Sequence, residues 1–121
     1  MSVFLDKSKE EWLGEGNHFF MIYDGFPVNP GHILIVSKRV VNDYFDLNIE
    51  ERIELTELIL TAKDLIEKNH EPDGYNIGMN CGIAAGQSVM HFHCHIIPRY
   101  RGDLNNPKGG VRGVIPDKMN Y

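Results

Sequence analysis

A single stretch decides how this chain folds and where its chemistry lies: Gly86-Gln87-Ser88-Val89-Met90-His91-Phe92-His93-Cys94-His95-Ile96-Ile97. Three histidines alternate here with apolar residues. Because successive side chains of a β-strand point to opposite faces, this spacing predicts a strand over 91–97 with all three imidazoles on one face. Cys94 then lies on the opposite face, as a small core residue.

The remaining pattern predicts an α+β domain with antiparallel strands. Apolar runs at 19–23 and 32–36 are bounded by Asp24-Gly25 and Pro30-Gly31, which is typical of strands separated by turns. Residues 75–80 are predicted to form a third central strand. We expect Pro98 to end the histidine strand.

One long helix is predicted to begin at Asn48, which forms a capping box with Glu51. Its apolar residues share one helical face, which indicates packing against the sheet: Leu55, Leu58, Ile59, Ala62, Leu65 and Ile66. Pro72 and Asp73-Gly74 are expected to stop it.

Length and composition fit one compact domain over residues 1–121, with an irregular tail from about residue 99. Hydrophobic residues make up 42% of the chain and the formal net charge is −5, which argues against a general nucleic-acid-binding surface. Residues 99–112 form a local exception, with four basic residues and one acidic residue. That local charge suits a small phosphorylated ligand or a solvated tail.

The two cysteines form no C-x-x-C pair, so a reducing compartment fits. The N-terminal residues are charged and lack the apolar stretch of a signal peptide. No segment approaches the ~20 apolar residues of a membrane span. We therefore predict a cytoplasmic protein with no membrane partner.

A row of imidazoles permits nucleophilic chemistry at phosphorus. Neutral imidazole is a good nucleophile that titrates near neutrality. His93 has a histidine on either side, so we predict that it attacks phosphorus and forms a nucleotidyl-histidine that water hydrolyses. His91 and His95 would bind non-bridging oxygens or fix the tautomer of the central ring.

The surrounding loops supply donors for a phosphate. Gly82 and Gly86 let backbone N–H groups approach an oxyanion, and Gln87 and Ser88 add side-chain donors. Three further candidates complete the predicted site, namely Asn80 for a ribose hydroxyl or phosphate oxygen, His32 as a fourth ring, and Asp24 as an acceptor for ribose hydroxyls.

These residues resemble the signatures of the histidine-triad (HIT) family of nucleotide hydrolases and transferases. The segment 91–97 matches His-φ-His-φ-His-φ-φ, where φ is apolar, and 86–89 matches G-Q-[ST]-V. Residues 29–32 resemble the family's P-G-H segment, with Asp24 at the expected interval before it. The similarity covers roughly residues 17–103.

The resemblance implies a five-stranded antiparallel sheet with one long helix, and a homodimer in which two sheets join. It implies attack by His93 on an α-phosphorus, with His91, His95 and His32 in support and Gln87 and Ser88 at the bridging atom and leaving group. Asp24 and Ile22 would hold ribose and base. It implies no metal cofactor, with magnesium expected only as a companion of a polyphosphate substrate.

Two branches of the family share features with this chain. Pro98-Arg99-Tyr100-Arg101-Gly102-Asp103 resembles the Pro-Arg-x-x-Gly-Asp of the dinucleoside polyphosphate hydrolases, whereas Asn80 and Ser88 resemble the phosphoramidases. The N-terminal zinc site of some members lacks its cysteines here. We hypothesise that Arg101, Lys108 or Arg112 contacts the distal phosphates of a longer substrate.

Two other functions fit the same residues. Three histidines on alternate strand positions also resemble a His₃ metal platform, and a nucleotide sensor or dimeric scaffold could retain the same pocket. The loop beside the histidines is rich in donors and short of carboxylates, which favours an anionic phosphate over a cation.

Overall fold

The computed structural model describes residues 2–121, which form one five-stranded antiparallel sheet and one α-helix. The strands are β1 (Gly14–Glu15), β2 (Phe19–Tyr23), β3 (Ile33–Ser37), β4 (Gly74–Gly78) and β5 (His93–Arg99), and the helix is α1 (Ile49–Glu67). Short 3₁₀ turns lie at Val3–Asp6, Lys9–Glu11, Tyr44–Asp46, Ile83–Ala85, Gly110–Val114 and Pro116–Lys118. The α+β class, the five strands and the single long helix are confirmed.

The strand order β1-β2-β3-β5-β4 corrects two predictions. The strand predicted over 75–80 is β4, which lies at the edge of the sheet and ends at Gly78. Pro98 does not end the histidine strand. The ladder between β3 and β5 stops at the Ile33–Ile96 pair, so on that side no partner requires the N–H that Pro98 lacks.

One face of the sheet packs on α1 and holds the main core. Apolar side chains from β2, β3 and β5 meet those of the helix there: Phe19, Met21, Ile33, Ile35, Cys94, Ile96, Leu55, Leu58, Ala62 and Ile66. Cys94 is fully buried, as predicted, and burial raises the pKa of its thiol to about 12. A thiol that stays protonated in this way contributes to the packing of the core and does not act as a nucleophile.

The opposite face carries the histidines. Cross-strand register places His93 beside Val36 of β3, which in turn pairs with Phe20 of β2. One step along, His95 lies beside Leu34. The histidine face is therefore polar on β5 and apolar on β2 and β3. The imidazole rings lie beside an apolar surface on that side.

The start of α1 is tied to the loop after β3 by an ion pair between a buried carboxylate and a half-exposed guanidinium. Asn48 caps the helix by accepting from the backbone N–H of Glu51, and the Glu51 carboxylate accepts from the Asn48 N–H at 2.8 Å, as the capping box predicts. Glu51 is only 1% exposed and accepts from the Arg39 guanidinium at 2.8 and 3.2 Å. That guanidinium holds the pKa of Glu51 below its ordinary value.

The tail begins with a network that holds the loop before His32. Arg99 donates to both carboxylate oxygens of Asp103 at 2.8 Å, and Asn29 donates to the same carboxylate. The Tyr100 hydroxyl donates to the carbonyl of Pro30 at 2.7 Å. Beyond this network the tail contains only turns and the last two 3₁₀ segments.

Among residues 2–121, no helix is both long and apolar enough to cross a bilayer.

We expect Glu51→Gln to lower the free energy of unfolding by about 1 kcal/mol at pH 7, because the charge of a buried carboxylate is lost while the side-chain volume is kept, and the half-exposed Arg39 partner is partly screened by solvent. Urea denaturation measures this difference. The control is Glu50→Gln, which removes an exposed carboxylate from the same first turn.

The effect depends on pH with a definite sign. The folded-state pKa of Glu51 lies below its ordinary 4.5, so its charge stabilises the fold fully above that value and less as the pH falls below it. The stability gap between wild type and Glu51→Gln should therefore close as the medium is acidified. A gap that is constant down to the acid transition would contradict the ion-pair explanation.

Candidate active site

A tight turn places His32 under the histidine strand. Gly31 adopts φ +94°, a conformation that favours glycine, and a Cβ there would lie 3.0 Å from the His70 ring and 3.3 Å from Ile66. The backbone N–H of Val28 donates to His32 Nδ1 at 3.0 Å. The ring is almost fully buried, and its orientation is fixed before any ligand binds.

His93 is oriented by a backbone carbonyl. Its Nδ1 lies 2.8 Å from the carbonyl oxygen of His91, and a carbonyl can only accept. In the neutral ring the proton is therefore on Nδ1, and Nε2 keeps its lone pair. The Phe4 ring packs edge-on against His93 at 4.8 Å between centroids, so the ring is held on its flank while Nε2 stays available.

His91 has a different environment from the one that strand alternation suggests. It precedes β5, and its ring is fully buried. Its Nε2 donates to the carbonyl of Ser37 at 2.6 Å, and its Nδ1 lies 2.7 Å from the Ser2 hydroxyl, which acts as the donor. Burial lowers the pKa of His91 and keeps it neutral. In this structure His91 positions His93 through its backbone oxygen.

His32 and His95 are joined by a hydrogen bond in which His32 is the donor and His95 the acceptor. His32 Nδ1 accepts from Val28, so its proton is on Nε2, which donates to His95 Nδ1 at 2.9 Å. His95 in its neutral form then carries its proton on Nε2. Burial, with smaller contributions from His93 and His32, lowers the pKa of His95 to about 4. His95 is thus a neutral donor near pH 7.

One group of possible metal ligands occurs among residues 2–121, formed by Asp24, His32 and His95. Asp24 Oδ2 lies 3.5 Å from His32 Nε2 and 3.9 Å from His95 Nδ1. A histidine that ligates a metal donates its other ring N–H to an acceptor. In His32 that other nitrogen accepts from the Val28 backbone, so Nε2 carries a proton and has no lone pair for a cation. These hydrogen bonds favour a proton-ordered pair over a metal site.

In the loop before β5, one side chain holds the loop in place and another faces the nucleotide-sized cleft beside His93. Gln87 is buried and its amide is used within the protein, accepting from Gly82 N at 2.8 Å and donating to the carbonyls of Asn42 and Val89. The prediction that Gln87 offers a donor to the leaving group therefore does not match this structure, in which it holds the loop. Ser88 is exposed, and Gly86 adopts φ +96° beside Asn80.

Two clefts meet at His95. The first, here called the nucleophile cleft, has a volume of about 620 Å³ and is lined by His93, Ser88, Gly86, Ile22 and Phe4, among others. The second, here called the tail cleft, has about 610 Å³ and is lined by His32, Val28, Asn76 and part of the tail. Four residues line both clefts: Asp24, Phe26, Asn80 and His95.

Most of the predicted site residues are brought together here, but the basic residues of the tail are not. Arg101 is exposed, lies 3.8 Å from Asp73 and is not among the residues that line the two clefts. Lys108 and Arg112 both lie over the ring of Tyr121. The net charge of the tail therefore does not indicate which of its residues line the clefts.

Sequence reasoning missed the N-terminal segment. Val3, Phe4 and Lys7 line the nucleophile cleft, and Ser2 contacts His91. A short charged segment carries no periodic pattern, and its position over the sheet depends on contacts nearly ninety residues away in sequence. No local signal could have indicated this role.

A family comparison agrees with this geometry. The model of the HIT domain matches residues 6–102, which is most of the chain. The chain belongs to the HIT family. The family and the five-stranded antiparallel sheet with one long helix are thus those that the sequence resemblance predicted.

Named HIT relatives share much of the sequence. An "AP-4-A phosphorylase" of Mycobacterium tuberculosis is 37% identical over 101 residues, covering 81% of this chain and 52% of that protein. A "Bis(5'-adenosyl)-triphosphatase" of Dictyostelium discoideum is 41% identical over 83 residues, covering 66% and 54% respectively. This chain spans about half the length of these two relatives.

Solved structures share the fold. A member of the HIT family from Bacillus subtilis superposes with a TM-score of 0.75 at 29% identity, covering 84% of this chain and 75% of that one.

We expect His95 to stay neutral at pH 5.5, because burial lowers its pKa from 6.5 to about 4. An NMR titration of the ring carbon and nitrogen shifts measures the midpoint, and the nitrogen shifts below pH 6 should report a proton on Nε2. Asp24→Asn removes the one neighbouring charge that raises the pKa, so the midpoint should fall further. Titration of His95 near pH 6.5 would contradict this description.

Proposed function

We propose that this HIT chain is a nucleotide phosphohydrolase or nucleotidyl transferase in which His93 attacks the α-phosphorus of a dinucleoside polyphosphate. One observation carries the proposal. His93 Nδ1 donates to the His91 carbonyl, which leaves the Nε2 lone pair at a cleft of about 620 Å³ that also exposes Ser88 and Gly86. A nucleophile, a donor and a nucleotide-sized space therefore meet at one place.

The chemistry follows two displacements at the same phosphorus. The lone pair of His93 Nε2 forms a bond to the α-phosphorus while the bond from phosphorus to the bridging oxygen breaks, and the nucleoside polyphosphate leaves as an anion with that electron pair. Water then attacks the α-phosphorus of the nucleotidyl-histidine, the bond between phosphorus and Nε2 breaks with its electron pair returning to His93, and the proton of the water passes to solvent as the nucleoside monophosphate is released. The histidine returns to its starting form.

His95 and Ser88 stabilise the charge that develops on the phosphoryl oxygens. With its pKa near 4, His95 holds its Nε2 proton as a hydrogen-bond donor throughout the neutral range. His32 donates to His95 Nδ1. If the proton of His95 moved from Nε2 to Nδ1, or if the ring turned over, this buried hydrogen bond would be lost.

We assign the nucleoside of the attacked end to the nucleophile cleft. Ile22 provides an apolar floor for the base, and Asp24 Oδ2 is available to ribose hydroxyls since Oδ1 accepts from the Phe26 N–H. Asn80 lies at the junction of the clefts and suits a ribose hydroxyl or a phosphate oxygen. No metal cofactor is assigned, and magnesium is proposed only as a companion of the polyphosphate.

A dinucleoside polyphosphate is favoured over a phosphoramidate by the names of two relatives, which refer to AP-4-A and to a bis(5'-adenosyl)-triphosphate. An adenosine phosphoramidate is the second candidate, supported by Asn80 and Ser88. A His₃ metal-binding protein is disfavoured, because the His91 ring is buried and bonded on both nitrogens. A nucleotide sensor without turnover is left to the experiment. The cytoplasmic location stays a prediction.

We expect wild type to release AMP from diadenosine tetraphosphate in excess chelator, and His93→Ala to lose at least about 10³-fold in kcat. Adenosine phosphoramidate is offered in parallel, and the substrate with the higher kcat/KM identifies the branch. Wild type quenched in alkali, in which the bond between phosphorus and imidazole nitrogen survives, should gain the mass of one adenylyl group on the peptide that contains His93.

His18→Ala is the matched control, because it removes an imidazole that lines neither cleft. Full activity of His93→Ala would refute nucleophilic attack by this ring. Turnover that disappears in chelator and returns with magnesium would show that the polyphosphate reacts as its metal complex. Nucleotide binding without turnover of either substrate would indicate a sensor.

We also propose a homodimer formed through β4 and the outer face of α1. Within residues 2–121, β4 pairs only with β5, so its other edge offers backbone groups to a second copy. Ile49, Ile53 and Leu60 are exposed along one stripe of α1, opposite the stripe that packs on the sheet. A second copy would cover an apolar surface that water otherwise meets.

We expect Leu60→Glu to convert the dimer to a monomer, because the dimer would have to bury the new charge. Light scattering after size-exclusion chromatography measures the mass. Thr61→Glu places the same charge on the next residue, about 100° away around the helix, and should remain dimeric. A wild type that is monomeric at all concentrations tested would refute the dimer.

A further inference from the structure

The tail cleft is continuous with the catalytic histidines but is not needed to hold the nucleophile. His93 lines only the nucleophile cleft, whereas His95, Asn80 and Asp24 line both. A ligand that reacts at His93 and extends past His95 therefore enters the tail cleft. Its volume of about 610 Å³ is close to that of the first cleft, which is large enough for a second group of nucleoside size.

The walls of the tail cleft suit a flat, largely apolar group. Phe26 is 93% exposed at the boundary of the two clefts, and Val28 is exposed beside it. The opposite wall comes from the tail, where Val111 is 63% and Val114 82% exposed. An aromatic ring and branched aliphatic side chains at one opening are the partners on which a nucleobase packs, and Asn76 and Asn80 supply polar edges.

The tail presents this wall because it is folded on itself. Gly109 adopts φ +100°, and a Cβ there would lie 2.5 Å from the Met119 carbonyl oxygen, so the segment closes tightly on Met119. Arg112 donates to the carbonyl of Lys118 at 3.0 Å, and Lys108 and Arg112 lie over the Tyr121 ring. These contacts hold the basic groups away from the cleft and leave valines facing it.

We propose that the tail cleft binds the second nucleoside of a dinucleoside polyphosphate, the one that departs with the leaving group. The inference rests on the proposed function and specifies its substrate class. A dinucleoside polyphosphate has two bases joined by a charged linker, which matches two clefts joined by His95 and Asn80. A phosphoramidate with a small leaving group has no part that would occupy the tail cleft. On this account the tail selects the substrate through apolar contact rather than through charge.

The test compares Val114→Asp with Ile115→Asp on two substrates. Ile115 is the next residue and is 59% exposed, but it does not line the tail cleft. Val114→Asp should raise KM for diadenosine tetraphosphate by about tenfold, because it places a carboxylate against the base and near the polyphosphate. It should change kcat/KM for adenosine phosphoramidate by less than about twofold. Ile115→Asp should leave both substrates unchanged.

Val111 lines the same part of the tail cleft. Val111→Asp should reproduce the selective rise in KM, which would show that the effect does not come from a local change of tail structure at Val114. An equal loss on both substrates, or no loss on diadenosine tetraphosphate, would overturn the second nucleoside site while leaving the proposed function standing. If wild type shows no His93-dependent release of AMP from either substrate, the proposed function fails and the assignment of the tail cleft fails with it.

Discussion

The position of β5 inside the sheet, between β3 and the edge strand β4, is the constraint on which the rest of the structure depends. Pairing with β3 and β4 fixes its register, so that Cys94 and Ile96 enter the core against α1 while His93 and His95 emerge on the opposite face. A slip of one residue would exchange these two sets, because side chains alternate with period two. The packing energy of the core thus specifies where the imidazoles lie, and no separate device is needed to place them.

Backbone groups then specify the protonation of three of the four rings, and the fourth, His95, follows from its contact with His32. A carbonyl accepts from His93, another accepts from His91, and a backbone N–H donates to His32. Together with the hydrogen bond that His32 Nε2 donates to His95 Nδ1, these contacts leave His93 with a lone pair on Nε2 and His95 with a proton on Nε2. The electrostatic character of the site is therefore determined by secondary structure and turns, which are stiffer than a network of side chains alone. The same contacts favour a proton-ordered pair of histidines over a cation site beside Asp24.

Two clefts adjoin the histidines and meet at His95. Elements distant in sequence supply their outer walls, with the N-terminal 3₁₀ turn at one end and the tail at the other. Neither wall is part of the sheet, so each can differ in shape and polarity without disturbing the histidines. We infer that reaction chemistry belongs to the sheet and substrate choice to the termini.

Much of this was determined by the sequence alone. The alternation at 91–97, the capping box at Asn48 and Glu51, and the turn signals around 24–31 are local patterns, and local patterns are enough to predict strands, the helix and the row of histidines. Only the tertiary structure decided the rest. It placed β4 at the edge, buried the His91 ring, used the Gln87 amide inside the loop, and turned the valines rather than the basic residues of the tail toward the cleft. Each of these outcomes depends on which distant segment lies against a residue, and the pattern of neighbours along a single chain does not contain that information.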